Sequence, residues 1–127
     1  MSIRLTHISP AFQDDRGDIS DIFEGAIHHT GIITFTENAV RANHYHKEQT
    51  QYTYVLSGKI ELKIKDARDP ASPVESVVME PGDFVELPPF TIHAYRALTE
   101  ASMLCLTTKL RGGSEAYEAD TIRVPPL

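Results

Sequence analysis

Six histidines fall within 127 residues, and two of them, His44 and His46, are separated by a single tyrosine. On a strand, residues two apart project from one face, so both imidazoles can enter a common cavity. Lys47 to Thr50 is polar and of hairpin-loop length, and Gln51 opens the next stretch. A hairpin there makes His46 and Gln51 facing partners. His93 supplies a third imidazole, just past the rigid turn expected of Pro88-Pro89. Two chemistries suit the set. Imidazole titrates near neutral pH and serves as a general acid or base without extreme tuning. Three imidazoles and an amide oxygen also match the ligand preferences of Fe, Mn, Ni, Cu or Zn. Gln51 is the weak donor of that set, because an uncharged amide oxygen holds a cation less tightly than a carboxylate. Glu48 is the nearby carboxylate, but it lies mid-loop with nothing to aim it inward. Against both chemistries stands the plain alternative of packing and surface histidines.

The elements that must position these residues are short. Lys59 to Lys65 (KIELKIK) alternates apolar and charged residues, the pattern of a strand with one buried face. Gly31 to Thr36, Gln51 to Leu56, Asp83 to Leu87 and Met103 to Thr108 read as further strands. Ser57-Gly58 separates two strands at hairpin length, Glu80 to Asp83 is a turn by composition, and Asp66 to Pro73 tips a longer hairpin. Nowhere does helical spacing hold for three turns, and Glu115 to Asp120 has room for one turn at most. Many short strands imply an all-β sandwich or barrel, and the length implies a single domain over 1–127.

Composition narrows the partners. Apolar residues at 41% and charged residues at 24% exclude disorder. A net charge of −6 excludes nucleic acid and anionic membrane as partners, so a phosphorylated ligand needs locally converging cations. The single cysteine, Cys105, permits no intrachain disulfide and reads as a small buried hydrophobe. With no signal-like leader and no apolar run of transmembrane length, a cytoplasmic location is expected. Ile60, Leu62 and Ile64 read as core, His28-His29 as surface, and Asp14, Asp15 and Asp18 as an acidic patch without calcium-site spacing.

The order His44-x-His46, Gln51, Gly58, then Gly82, Pro88 and His93 resembles the two motifs of the cupin superfamily. The first motif is departed from where Gln51 replaces the acidic ligand and Asn38 the leading glycine. The second is departed from at Phe90 and Ala97, which stand for a glycine and an asparagine. Asp15-Arg16-Gly17 is similar to the element that opens nucleotide-sugar epimerases and 3,4-ketoisomerases acting on dTDP-4-keto-6-deoxyhexoses. Arg41 to Lys47, followed by Gln51, looks like the histidine stretch of those ketoisomerases, departing at Ala42 (a glycine there) and Tyr45. Tyr117 to Arg123 is similar to their terminal motif, though shorter and less aromatic.

The resemblance implies an all-β cupin jelly-roll barrel and a sugar-nucleotide isomerase or epimerase. His44 and His46 would be the acid/base pair, and Gln51 would orient an imidazole or hold a hydroxyl; by residue type and position, apart from the resemblance, Tyr95 and Tyr54 are candidate hydroxyl donors. Arg16, Arg41, Lys47 and Tyr54 would bind substrate, a small molecule of the dTDP-sugar class, and no cofactor would be required. Two other readings stay open. One is a metal-binding cupin, an oxygenase or isomerase, with Fe, Mn, Ni or Zn on His44, His46, Gln51 and His93. The other is a non-catalytic sugar-binding or regulatory cupin. By resemblance a homodimer is expected, with Ile3 to Ile8 as a strand that can be exchanged.

Overall fold

Alternation of apolar and polar residues sets the strands of the computed structural model, which describes residues 2–110, 115 and 118–127. In chain order the strands are β1 Arg4–His7, β2 Phe12–Asp14, β3 Gly17–Ile19, β4 His29–Phe35, β5 Val40–His46 and β6 Gln51–Ser57. They continue with β7 Ile60–Asp66, β8 Glu75–Met79, β9 Asp83–Leu87, β10 Thr91–Ala97, β11 Ala101–Thr107 and β12 Thr121–Arg123. One sheet has the order β1-β9-β6-β11-β4 and the other β12-β5-β10-β7-β8, while β2 and β3 form a separate hairpin. Every pairing is antiparallel.

Each large sheet buries one face. Ile60, Leu62 and Ile64 of β7 join Val55 of β6, Val85 of β9 and Met103 of β11 in one cluster, and the residues between them are partly exposed. Burial of these apolar faces against each other is what holds a jelly-roll sandwich together. The expected all-β jelly roll is thus the observed one. Among the described residues no ladder joins its two sheets into a closed barrel.

Two expected hairpins are instead crossings between sheets. β5 and β6 lie in different sheets, so His46 and Gln51 are not ladder partners. β6 and β7 are likewise split, and Ser57-Gly58 carries the chain from one layer to the other. That crossing needs glycine: Gly58 has φ +76°, and a Cβ there would lie 2.1 Å from the Glu100 carbonyl oxygen. Hairpin length alone does not tell a turn within a sheet from an arch between sheets. The loop at Asp66 to Pro73 does tip a hairpin, β7 with β8. β1 pairs with β9 of its own chain.

Candidate functional site

A β-bulge brings the three histidines together. Along β10 the partners on β5 run His93 to His44 and then Ala94 to Ala42, leaving Asn43 as the extra residue. Ala42 and Asn43 have φ of 73° and 59°. The irregularity sets His44 directly opposite His93, and His46 follows two residues on along the same face. Ring centroids are 4.8 Å apart for His44 and His46, 4.8 Å for His44 and His93, and 5.6 Å for His46 and His93. The expected convergence of imidazoles from two distant stretches is observed.

The residues that stand at motif glycine positions keep a glycine-like backbone. Asn38, Ala42 and Phe90 have φ of 68°, 73° and 64°, the left-handed region that side chains disfavour. Asn38 adopts that region readily. Phe90 is held by its surroundings: its N–H donates to the His46 carbonyl at 2.8 Å, and its ring packs on Tyr45 and under Arg68.

Buried imidazoles resist protonation. Burial holds His44 at a pKa of about 4, with His46 and Arg123 pushing the same way. Burial likewise lowers His93 to about 3, with the neighbouring His44 adding to it. His46 is also lowered by burial, opposed by its hydrogen bond to the Asp120 carbonyl, by the charge of Asp120 and by the Gln51 side chain. All three rings are therefore neutral at pH 7, more acidic as imidazolium than the near-neutral groups expected. His46 Nδ1 donates to the Asp120 carbonyl and His93 Nδ1 to that of Thr91, both at 3.0 Å. Each ring then carries its lone pair on Nε2. His93 Nε2 is buried with no hydrogen-bond partner among the described residues.

A cavity of about 480 Å³ opens in front of this cluster, within the range of ligand pockets. His44, Gln51, Tyr95 and Arg41 are in its wall; His46 and His93 are not, and pack behind His44. Gln51 Nε2 donates to the Tyr95 hydroxyl at 3.0 Å, and Thr53 Oγ1 is 2.7 Å from the same oxygen. Arg41 donates to the Thr34 carbonyl at 3.0 Å and lies over the Phe35 ring, which fixes a cation at the cavity wall.

Other expected site residues are elsewhere. Tyr54 is on the face of β6 opposite Gln51 and Thr53, because side chains alternate along a strand. Lys47 is exposed in the turn after β5 and takes no part in the cavity wall. Arg16 sits on the β2–β3 hairpin, spent on the Asp14 carboxylate at 2.6 and 2.9 Å. Tyr117 lies outside the described residues.

The structure adds residues that spacing did not mark. His29, expected at the surface, is half-buried in the cavity wall, and Cys105, buried as expected, lines the same wall. Asp120 is buried and accepts from three successive backbone amides, those of Lys47, Glu48 and Gln49, at 3.0 to 3.2 Å. That clamp holds the turn joining His46 to Gln51. Glu48 points away, paired with Lys109. Period-two reading carried back from β6 would have marked Gln49 as inward; nothing local marks Asp120 as the clamp.

The family model described as "Cupin domain" matches residues 31–108. No curated protein sequence matches the chain. Among solved structures, ChmJ, a 3'-monoepimerase from Streptomyces bikiniensis in complex with dTDP-quinovose, aligns with a TM-score of 0.81 at 20% identity, over 97% of this chain and 69% of that one. A variant of the 3,4-ketoisomerase QdtA from Thermoanaerobacterium thermosaccharolyticum, in complex with TDP-4-keto-6-deoxyglucose, gives 0.76 at 18% identity, over 96% and 87%. A 3,4-ketoisomerase from Helicobacter canadensis gives 0.76 at 20% identity, over 98% and 92%. At these identities the likeness shows the fold.

Proposed function

The chain belongs to the cupin domain family, and from that membership we propose that it is a sugar-nucleotide isomerase or epimerase, with 3,4-ketoisomerisation of a dTDP-4-keto-6-deoxyhexose as the favoured reaction. The observation that carries the reading is a neutral imidazole, His44, set in the wall of an open cavity beside the Tyr95 hydroxyl and Gln51. In the reaction a base takes the proton from the carbon next to the carbonyl. The C–H electron pair becomes the double bond of an enediol while the carbonyl oxygen gains a proton. Return of a proton to the former carbonyl carbon, with loss of the neighbouring hydroxyl proton, leaves the keto group one position along. His44 takes the first proton at the cavity wall, with the His46 ring packed against it at 4.8 Å between centroids. Tyr95, which accepts from Gln51, can turn its own proton to the developing enolate oxygen. Arg41 offers a fixed cation for the diphosphate. The solved relatives that bind dTDP or TDP sugars support this substrate class. Incubation with dTDP-4-keto-6-deoxyglucose tests it: NMR should show the keto group shifting, or inversion at a neighbouring carbon. Tight binding without turnover would favour a non-catalytic sugar-binding role.

A second reading rests on the unpartnered, buried His93 Nε2. Ring nitrogens of His44, His46 and His93 all lie within 4.8 Å of one another, and three neutral imidazoles suit Fe, Mn, Ni or Zn by donor type. The set is looser than the roughly 3.0–3.4 Å between nitrogens that share one ion at about 2.1 Å. Gln51, whose amide is turned to Tyr95, would be the fourth donor. A bound metal would polarise the same carbonyl. Elemental analysis of protein purified without chelator separates the readings; near-stoichiometric metal favours this one.

A further inference from the structure

Residues two apart share a face of a strand, so the register between β5 and β10 decides which β5 side chains meet His93. That register runs Arg96 to Val40, Tyr95 to Arg41 and Ala94 to Ala42, and both Arg41 and Tyr95 line the cavity. Carried on regularly, it would set Asn43 opposite His93 and turn His44 and His46 to the far face. The bulge at Asn43 reverses this, and His44 meets His93 with ring centroids 4.8 Å apart. The aim of both β5 histidines therefore depends on one extra residue.

That residue is held by the chain that follows β12. The ladder of β12 on β5 ends with Arg123 opposite His44, and the next N–H, of Val124, donates to the Asn43 carbonyl at 3.0 Å. Pro125 and Pro126 are exposed, have no N–H to give and stiffen the path. Leu127 is half-buried again, and its N–H donates to Asn43 Oδ1 at 2.9 Å. The main-chain and side-chain oxygens of one residue are thus taken from the two ends of a short strap. Asparagine suits the place twice: it enters the left-handed region readily, here at φ 59°, and it carries an acceptor that glycine lacks.

We infer that Asn43 is a positioning residue: clasped by Val124 and Leu127, it locks the bulge that turns His44 and His46 towards His93. Its consequence for catalysis rests on the sugar-nucleotide reading above, whereas the ring geometry is readable without substrate.

The test is NMR of the histidine rings in wild type, Asn43→Gly, Leu127→Pro and Asn43→Asp, with dTDP titration and turnover of dTDP-4-keto-6-deoxyglucose. Asn43→Gly keeps the left-handed backbone and removes the acceptor, Leu127→Pro removes the donor, and Asn43→Asp keeps the acceptor. Wild type should show cross-peaks between ring protons of His44 and His93. The glycine and proline variants should weaken them about twofold or more and lower kcat about tenfold or more, with dTDP affinity within about twofold of wild type. The aspartate variant should restore both. Should the glycine variant not fold, the proline variant carries the same prediction. Unchanged cross-peaks in either variant overturn the inference, as does an equal loss in the aspartate variant. Loss of dTDP binding in step with kcat overturns it in favour of a general structural role. A wild type without turnover overturns the sugar-nucleotide reading alone, and the cross-peaks then decide the clasp.

Discussion

His46 Nδ1 lies 3.0 Å from the carbonyl oxygen of Asp120, a residue 74 positions further along the chain. The contact places the ring proton on Nδ1 and ties the histidine strand to the C-terminal strand β12, which pairs with β5 from Thr121 to Arg123. The same residue's carboxylate clamps the turn after His46. One aspartate thus fixes both the tautomer of an imidazole and the path of the chain toward Gln51.

Replacing that carboxylate should loosen the site. Asp120→Ala is expected to cost about 3 kcal/mol, since three amides lose a charged acceptor, and Asp120→Asn about half as much. Urea denaturation measures both. An alanine variant within about 0.5 kcal/mol of wild type would show that the clamp carries no stability.

Stability should fall on the acid side of neutrality. His44 and His93 have folded pKa values of about 4 and about 3, below the ordinary 6.5. The unfolded chain therefore binds more protons once the pH drops below 6.5, so the folded state loses ground from about pH 6.5 down towards 4. Between pH 7 and pH 5 the loss should reach up to about 2 kcal/mol for each ring. Denaturation at several pH values checks it, and replacing His93 by Leu should flatten the slope. If His44 is the base, kcat/KM should still hold near pH 5, where an ordinary imidazole would already have lost most of its activity.

Backbone strain at the bulge should be relievable. Ala42 at φ 73° occupies a region costing about 1–2 kcal/mol for a residue with a Cβ, partly offset by glycine's greater chain entropy. Ala42→Gly should therefore stabilise the fold by about 0.5–1 kcal/mol. Gly58→Ala should do the reverse, by about 3 kcal/mol or more, because its Cβ would meet the Glu100 carbonyl at 2.1 Å. Thermal melts of the pair decide; destabilisation by Ala42→Gly would sink the strain argument.

Cations near the histidines should differ in weight. Arg41→Gln is expected to raise KM about tenfold with kcat little changed, the loss of one charged hydrogen bond to the diphosphate. Lys47→Gln, which alters only an exposed turn, should stay within about twofold. Steady-state kinetics separates them, and equal effects would move the diphosphate away from Arg41.

Much of this was legible in the chain before any coordinates. The alternation of Ile60 to Lys65 and the short runs at 51–56 and 83–87 give strands close to those observed, because a half-buried strand must alternate. The convergence of His44, His46 and His93 was legible too, from spacing and from resemblance. Sheet assignment was not, since the turns at 47–50 and 57–58 have lengths that fit a hairpin or an arch between layers equally. The strand faces of Tyr54 and Gln51 follow from alternation, yet which face meets the cavity depends on pairing with β9 and β11. The depressed histidine pKa values arise from burial and mutual crowding, which no local pattern announces. Asp120 acts across 74 positions, and only the folded chain shows that.

The most direct test of proton transfer by the histidine cluster is solvent exchange into the sugar. dTDP-4-keto-6-deoxyglucose is incubated in D2O with wild type, His44→Asn and His46→Asn, and deuterium at the carbons flanking the carbonyl is read by NMR. Wild type should incorporate deuterium at a carbon next to the carbonyl as the keto group shifts or the centre inverts. His44→Asn should fall at least a hundredfold, with dTDP still bound. Exchange that proceeds equally well without His44, or a wild-type protein that binds the sugar and exchanges nothing, would contradict the account.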